Sequence, residues 1–104
     1  MKPVVLLLTC GGKEEADKIV KALLEKKLIV CAKSFSVSST FYWKNSIDSG
    51  EEIFIVMDSS ENLFEKVEEE IRKLHSYDTF NLVSIPVTKT SRGVVEWMKE
   101  GLLK

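Results

Sequence analysis

Residues 28–57 read LIVCAKSFSVSSTFYWKNSIDSGEEIFIVM, and this stretch decides the fold. Apolar and polar side chains alternate through residues 28–43, while residues 52–57 are rich in β-branched and aromatic side chains. Both patterns are typical of strands. The residues between them, from Asn45 to Gly50, are turn formers. The stretch therefore predicts a long antiparallel hairpin.

Helices and further strands are predicted on both sides of this hairpin. The apolar run Val4–Leu8 predicts a buried central strand, and residues 13–27 carry apolar side chains at helical spacing. A second helix, with its N-cap among residues 58–60, is expected to run to Leu74, and a last strand to cover residues 82–87.

Two details of the C-terminal part complete the fold prediction. Pro86 cannot donate a hydrogen bond to a sheet, which places the last strand at an edge, and Ser91 opens a short third helix. The element order βαββαβ with a terminal helix predicts an α+β, ferredoxin-like fold. Its four-stranded antiparallel sheet carries both main helices on one face.

Composition limits the classes of protein to which the chain can belong. Its 104 residues predict one domain, 1–104, and a net charge of −1 with 44% hydrophobic residues disfavours disorder and nucleic-acid binding. The longest apolar run is too short to span a membrane, and Lys2 before it does not make a signal peptide. We therefore expect a cytoplasmic protein whose two cysteines stay reduced.

The predicted hairpin is too long for a monomer. A strand over residues 28–43 reaches about 50 Å, whereas a fifteen-residue helix covers about 22 Å. The excess carries Phe41, Tyr42 and Trp43, which a monomer would leave in water, and one face of the sheet has no helix over it. We expect oligomerisation through the sheet and hairpin; a bend near Ser38 and Ser39 that folds the tip back is the alternative.

His75, the only histidine, is the first candidate for chemistry. It can ligate copper or zinc through a neutral ring nitrogen, helped by Asp78 or by Cys10. The alternative is a helix cap, in which the ring binds free carbonyls at the C-terminus of the second helix. Of the two cysteines, we expect Cys10 to be the more exposed and Cys31 to lie in the core.

No enzyme is predicted. The serines form no Gly-x-Ser-x-Gly elbow, and a single histidine has no identifiable acid to orient it. Paired carboxylates such as Glu14 and Glu15 are expected on solvated faces. Gly11 and Gly12 are better explained by helix entry than by phosphate binding.

Four short motifs, in order and at the right spacing, resemble the CutA family of divalent-cation tolerance proteins: LIVCAK, FYWKNSI, HSYD and EWM. The resemblance implies a ferredoxin-like homotrimer in which each hairpin wraps a neighbour. It further implies no catalytic reaction and no certain cofactor, with Cu²⁺ or another divalent cation as the expected ligand. The residues that it places in the trimer interface or in a ligand pocket are Phe41, Tyr42, Trp43, Tyr77 and Trp97.

The sequence departs from the family pattern around the histidine. Ser76 replaces the proline of His-Pro-Tyr, and Asn81 replaces a glutamate that would have joined His75 around a cation.

Two other functions stay open. One is a nucleotide-binding module similar to the trimeric PII signalling proteins, with Lys89 and Arg92 as phosphate contacts. The other is a scaffold whose only task is assembly.

Overall fold

The chain forms the predicted strands and helices in the predicted order, and the computed structural model describes all of residues 1–104. The α+β fold is therefore confirmed. The elements are β1 (Pro3–Cys10), α1 (Lys13–Glu25), β2 (Cys31–Trp43), β3 (Ser46–Ser60), a 3₁₀ turn (Glu61–Leu63), α2 (Phe64–Leu74), β4 (Leu82–Pro86) and α3 (Val94–Gly101).

The four strands form one antiparallel sheet in the order β2-β3-β1-β4. β4 lies at an edge, as the proline predicts, and Pro86 stands opposite Val4. The central strand β1 is hydrogen-bonded on both sides, to β3 and to β4. Its C-terminal residue is Cys10.

The core lies between one face of the sheet and the helices. Alternate residues of β1 point towards the helices and are buried, which is the period of two that a strand imposes. Each buried aliphatic side chain stabilises the fold by about 1.5–3 kcal/mol. The main contributors are Leu6, Leu8, Ile55 and Met57 from the sheet and Ile19, Leu23, Val67 and Ile71 from the helices.

The hairpin is longer and tighter than the sequence predicts. Its turn is Lys44-Asn45, with φ of 49° and 66°, so β3 begins at Ser46 and the expected turn at residues 45–50 is wrong. A two-residue turn with positive φ at both positions has a backbone twist that matches the right-handed twist of the two paired strands. Pairing runs residue by residue from Cys31–Asp58 to Trp43–Ser46 without a bulge, so the register does not support the alternative in which a bend near Ser38 and Ser39 folds the tip back.

Three element boundaries also differ from the prediction. β2 begins at Cys31 rather than at residue 28, because Leu28 is buried in the core and its carbonyl accepts a 2.7 Å hydrogen bond from Ser59 Oγ. The predicted N-cap residues 58–60 lie inside β3, and α2 follows a 3₁₀ turn. α3 begins at Val94, after Gly93 with its φ of 94°.

Gly101 is required by the packing of α3 on the loop before β2. A Cβ at this position would lie 2.8 Å from Cγ1 of Val30. We therefore expect Gly101→Ala to lower the free energy of unfolding by about 1–3 kcal/mol, because a packed site cannot absorb the extra methyl group. Urea denaturation would measure the change.

Gly50→Ala is the matched control, since a Cβ there would meet nothing within 4 Å. Equal unfolding midpoints for the two variants would contradict the packing assigned to α3.

No helix has the length and apolar character needed to cross a membrane.

Candidate metal centre

Three metal-ligating side chains meet where β1 ends, α1 begins and α2 ends. Cys10 is the last residue of β1, Glu15 lies in the first turn of α1, and His75 follows α2. One sulfur, one carboxylate oxygen and one ring nitrogen all lie within 4.8 Å of one another. The structure thus brings together the two predicted ligands, Cys10 and His75, and adds Glu15.

The ring of His75 is held in one orientation by two hydrogen bonds. Its side chain is fully buried, and Nε2 lies 2.8 Å from the carbonyl oxygen of Thr9. Because a carbonyl can only accept, Nε2 carries the proton. Nδ1 accepts the backbone N–H of Tyr77 at 3.1 Å. The histidine is therefore the neutral Nε2–H tautomer, and its Nδ1 lone pair accepts the Tyr77 amide beside the cluster.

The helix-cap interpretation of His75 is correct for its backbone only. The residue occupies the C-cap position of α2, and its N–H donates to the carbonyl of Ile71 at 2.8 Å. The ring, however, binds a strand carbonyl rather than the free carbonyls of α2. It stacks on Phe80 with a centroid distance of 5.1 Å. The side chain is thus free of the helix terminus and belongs to the cluster.

Glu15 carries a buried acceptor that no donor satisfies. Its Oε2 accepts the backbone N–H of Ser76 at 3.1 Å, whereas its Oε1 has no hydrogen-bond partner and lies 3.5 Å from His75 Nδ1. The prediction that residues 14 and 15 are both solvated is wrong for Glu15, whose side chain is 19% exposed. A buried charged acceptor without a partner is costly, so this oxygen favours a nearby cation.

Cys10 is completely buried, which contradicts the expectation that it would be the more exposed cysteine. The alternation of β1 points its side chain towards the helices. Burial raises the pKa of the Cys10 thiol to about 12, and the carboxylates of Glu15 and Glu52 add to the rise. Cys31, expected in the core, is partly exposed, and Lys33 Nζ lies 3.5 Å from its sulfur.

Tyr77 covers the cluster. Its hydroxyl donates to Glu52 Oε2 at 3.0 Å, and its ring centroid lies 4.7 Å from that of His75. Burial, followed by the bond to Glu52, raises the pKa of Tyr77 to about 12. A Cβ on Gly11 would lie 3.4 Å from the tyrosine hydroxyl, so the glycine leaves room for this cover.

The other predicted site residues lie elsewhere. Asp78, considered as a helper of His75, is exposed and lies outside the three-residue cluster; its backbone carbonyl accepts from Arg72. Lys89 and Arg92, the basis of the nucleotide alternative, are exposed in the segment after β4. The four aromatic residues predicted with Tyr77 in an interface or pocket are 42–73% exposed in the single chain: Phe41, Tyr42 and Trp43 near the hairpin turn, and Trp97 on α3.

The sheet face opposite the helices is apolar and uncovered. Phe35 stacks on Phe54 across the hairpin, with centroids 5.5 Å apart, and remains 52% exposed. At the other edge, Val83 and Ile85 are 42% and 47% exposed. Together these residues define the open sheet face.

Two clefts of the fold bear on the location of the cluster. The larger, about 790 Å³, lies at the far end of β1 and is lined by Met1, Lys2 and Ser60 among others, with no member of the cluster. The smaller, about 440 Å³, runs along the start of α1 and reaches both Glu15 and Leu74. Of the three cluster residues, Glu15 is the one that lines this cleft.

The family model of the CutA1 divalent ion tolerance protein matches residues 4–101. This chain belongs to the CutA1 family. The divalent-cation tolerance protein CutA of Archaeoglobus fulgidus is 32% identical over 95 residues, which cover 91% of this chain and 93% of that protein. The CutA of Thermococcus kodakarensis is 31% identical over 98 residues, which cover 94% of each chain.

Solved CutA structures have the same fold. The structure described as the periplasmic divalent cation tolerance protein CutA of A. fulgidus superposes with a TM-score of 0.93 at 30% identity, covering 95% of this chain and 97% of that one. CutA1 of Pyrococcus horikoshii gives 0.92 at 28% identity, with 97% and 99% covered. The CutA family prediction made from the four motifs is thus confirmed.

Proposed function

We propose that this CutA1 family member binds a divalent cation through Cys10, Glu15 and His75. The buried Oε1 of Glu15, which lacks a donor, is the observation that carries the proposal. It lies 3.5 Å from His75 Nδ1. Such a separation suits two ligands of one tetrahedral ion with bonds of about 2.0–2.2 Å.

The donor set suits a borderline ion such as Zn²⁺ or Cu²⁺. Thiolate and imidazole favour these metals over Mg²⁺ or Ca²⁺, which prefer oxygen ligands. The bond from His75 Nε2–H to the Thr9 carbonyl fixes the tautomer, as outer-shell partners of metal-bound histidines do. On ligation, the Cys10 thiol would release its proton to solvent.

We also propose that the protein has no catalytic activity. The only thiol of the cluster is buried, and its pKa of about 12 leaves almost no thiolate at neutral pH. Both nitrogens of His75 are engaged in hydrogen bonds, so the ring is not poised as a general base. These features support a binding role rather than a nucleophilic one.

The working unit in this proposal is a homotrimer, the state that the family resemblance implies. The open sheet face supports it, because Phe35, Val83 and Ile85 are 42–52% exposed in the single chain, and an exposed apolar patch of this kind marks an interaction surface. The hairpin tip supports it as well, because Tyr42 and Trp43 are 73% and 57% exposed. Aromatic residues of this kind are enriched at subunit interfaces.

We place the protein in the cytoplasm. Its two cysteines are unpaired, which suits a reducing compartment. Fractionation of the native host should recover the chain with cytoplasmic markers, and recovery with periplasmic or secreted markers would contradict this placement.

Calorimetric titration of Zn²⁺ and of Cu²⁺ tests the proposed function. The wild type should bind one ion per chain, and His75→Ala should bind at least roughly a hundredfold more weakly, because a ligand and its tautomer-fixing bond are lost together. Asp78→Asn is the control, since it removes a neighbouring carboxylate outside the cluster. Equal affinities for wild type and His75→Ala would contradict the site.

A further inference from the structure

The segment Ser76-Tyr77, here called the strap, forms backbone hydrogen bonds with two of the three candidate ligand residues. The N–H of Ser76 donates to Glu15 Oε2 at 3.1 Å, and the N–H of Tyr77 donates to His75 Nδ1 at 3.1 Å. The second bond uses the same lone pair that a metal ion would need. An ion at Nδ1 and the Tyr77 amide therefore exclude each other.

The strap also separates the site from water. Cys10 and the side chain of His75 have no exposed surface, while Ser76 is exposed and Tyr77 is 39% exposed. The cleft along α1 has Glu15 in its lining. An ion beside Glu15 can bond to Nδ1 of His75 only if the Tyr77 amide moves away from that nitrogen.

A third contact fixes the strap from outside the cluster. The Tyr77 hydroxyl donates to Glu52 at the base of the hairpin, and its ring packs against that of His75. Glu52 pairs with Val37 across the hairpin and is not among the three ligands. The tyrosine hydroxyl thus holds the closed strap without touching an ion-binding atom.

We propose that the strap competes with the divalent cation for Nδ1 of His75, so that the Tyr77–Glu52 bond sets the affinity and the binding rate of the site. This inference rests on the proposed function. Since only the open form binds, the apparent affinity is the intrinsic affinity reduced by the open fraction. Weakening the closed form raises that fraction.

The test is Zn²⁺ binding by the Tyr77→Phe variant, which removes the hydroxyl and keeps the ring. We expect binding that is about ten- to a hundredfold tighter, as the loss of one hydrogen bond to a carboxylate predicts. Stopped-flow mixing should also show faster binding. Thr90→Val is the control, because it removes a hydroxyl from an exposed residue in the segment after β4, outside the cluster and the strap.

Hydrogen exchange gives a second readout in the wild-type protein. The amide of Tyr77 should be protected in the metal-free protein and should exchange faster once Zn²⁺ is bound, because its acceptor is then taken. If the wild type and Tyr77→Phe bound Zn²⁺ with equal affinity and rate, or if the Tyr77 amide stayed protected in the zinc-loaded wild type, the competition by the strap would be overturned while the metal site stood. If neither the wild type nor Tyr77→Phe bound Zn²⁺, both proposals would be overturned.

Discussion

Replacing Phe35 with aspartate is expected to convert the proposed homotrimer into single chains. Phe35 lies on the open sheet face, stacked on Phe54, and more than half of its surface is exposed in one chain. In a homotrimer that buries this face, each copy would place a carboxylate in an apolar interface. Burial of an unpaired charge costs several kcal/mol, and every 1.4 kcal/mol is a factor of ten in affinity. We expect assembly to weaken by roughly a thousandfold or more.

Leu24→Asp is the matched control for this variant. Leu24 is 41% exposed on α1, in the layer opposite the open sheet face, so the same change of charge should leave the assembly unaltered. Light scattering after size-exclusion chromatography measures the mass of both variants across dilution. A Phe35→Asp protein that retains the mass of three chains would contradict the assignment of the open sheet face to the interface.

Replacing Cys10 with serine is expected to have the largest effect on the metal centre. The hydroxyl has almost the size of the thiol, so the buried site should keep its packing while it loses its soft ligand. A neutral serine is a far weaker zinc ligand than a thiolate. Zinc affinity should fall by at least roughly a hundredfold, measured by competition with a chromophoric chelator.

Cys31→Ser provides the control, because it makes the same chemical change at a partly exposed cysteine outside the cluster. Its zinc affinity should equal that of the wild type. If both serine variants bound zinc with wild-type affinity, Cys10 would not be a ligand.

The elements with strong periodicity could be predicted from the sequence. α1 shows an apolar stripe with little interruption, and Pro86 reveals an edge strand because it lacks a donor. The hairpin turn could not be placed, because Asn45 precedes further turn formers that the structure extends as strand. A run of serine, aspartate and glycine is compatible with an exposed strand when its partner strand supplies the hydrogen bonds.

The candidate site was predictable only in part. Residue type alone identifies His75 and Cys10. The exposure of Cys10 depends on which face of β1 it occupies, and the continuous apolar run Val4–Leu8 does not distinguish the two faces. Glu15 had a weaker signal. It precedes Ala16 and lies four residues before Ile19, at the border of the apolar stripe of α1. Its contact with His75 depends on the packing of α1 beside the end of α2.

The central claim is that Cys10, Glu15 and His75 bind one divalent cation together, and X-ray absorption spectroscopy of the zinc-loaded protein tests it most directly. We predict one sulfur at about 2.3 Å with nitrogen or oxygen neighbours at about 2.0–2.2 Å, and loss of the sulfur in Cys10→Ser. A zinc environment of nitrogen and oxygen alone in the wild type would contradict the claim.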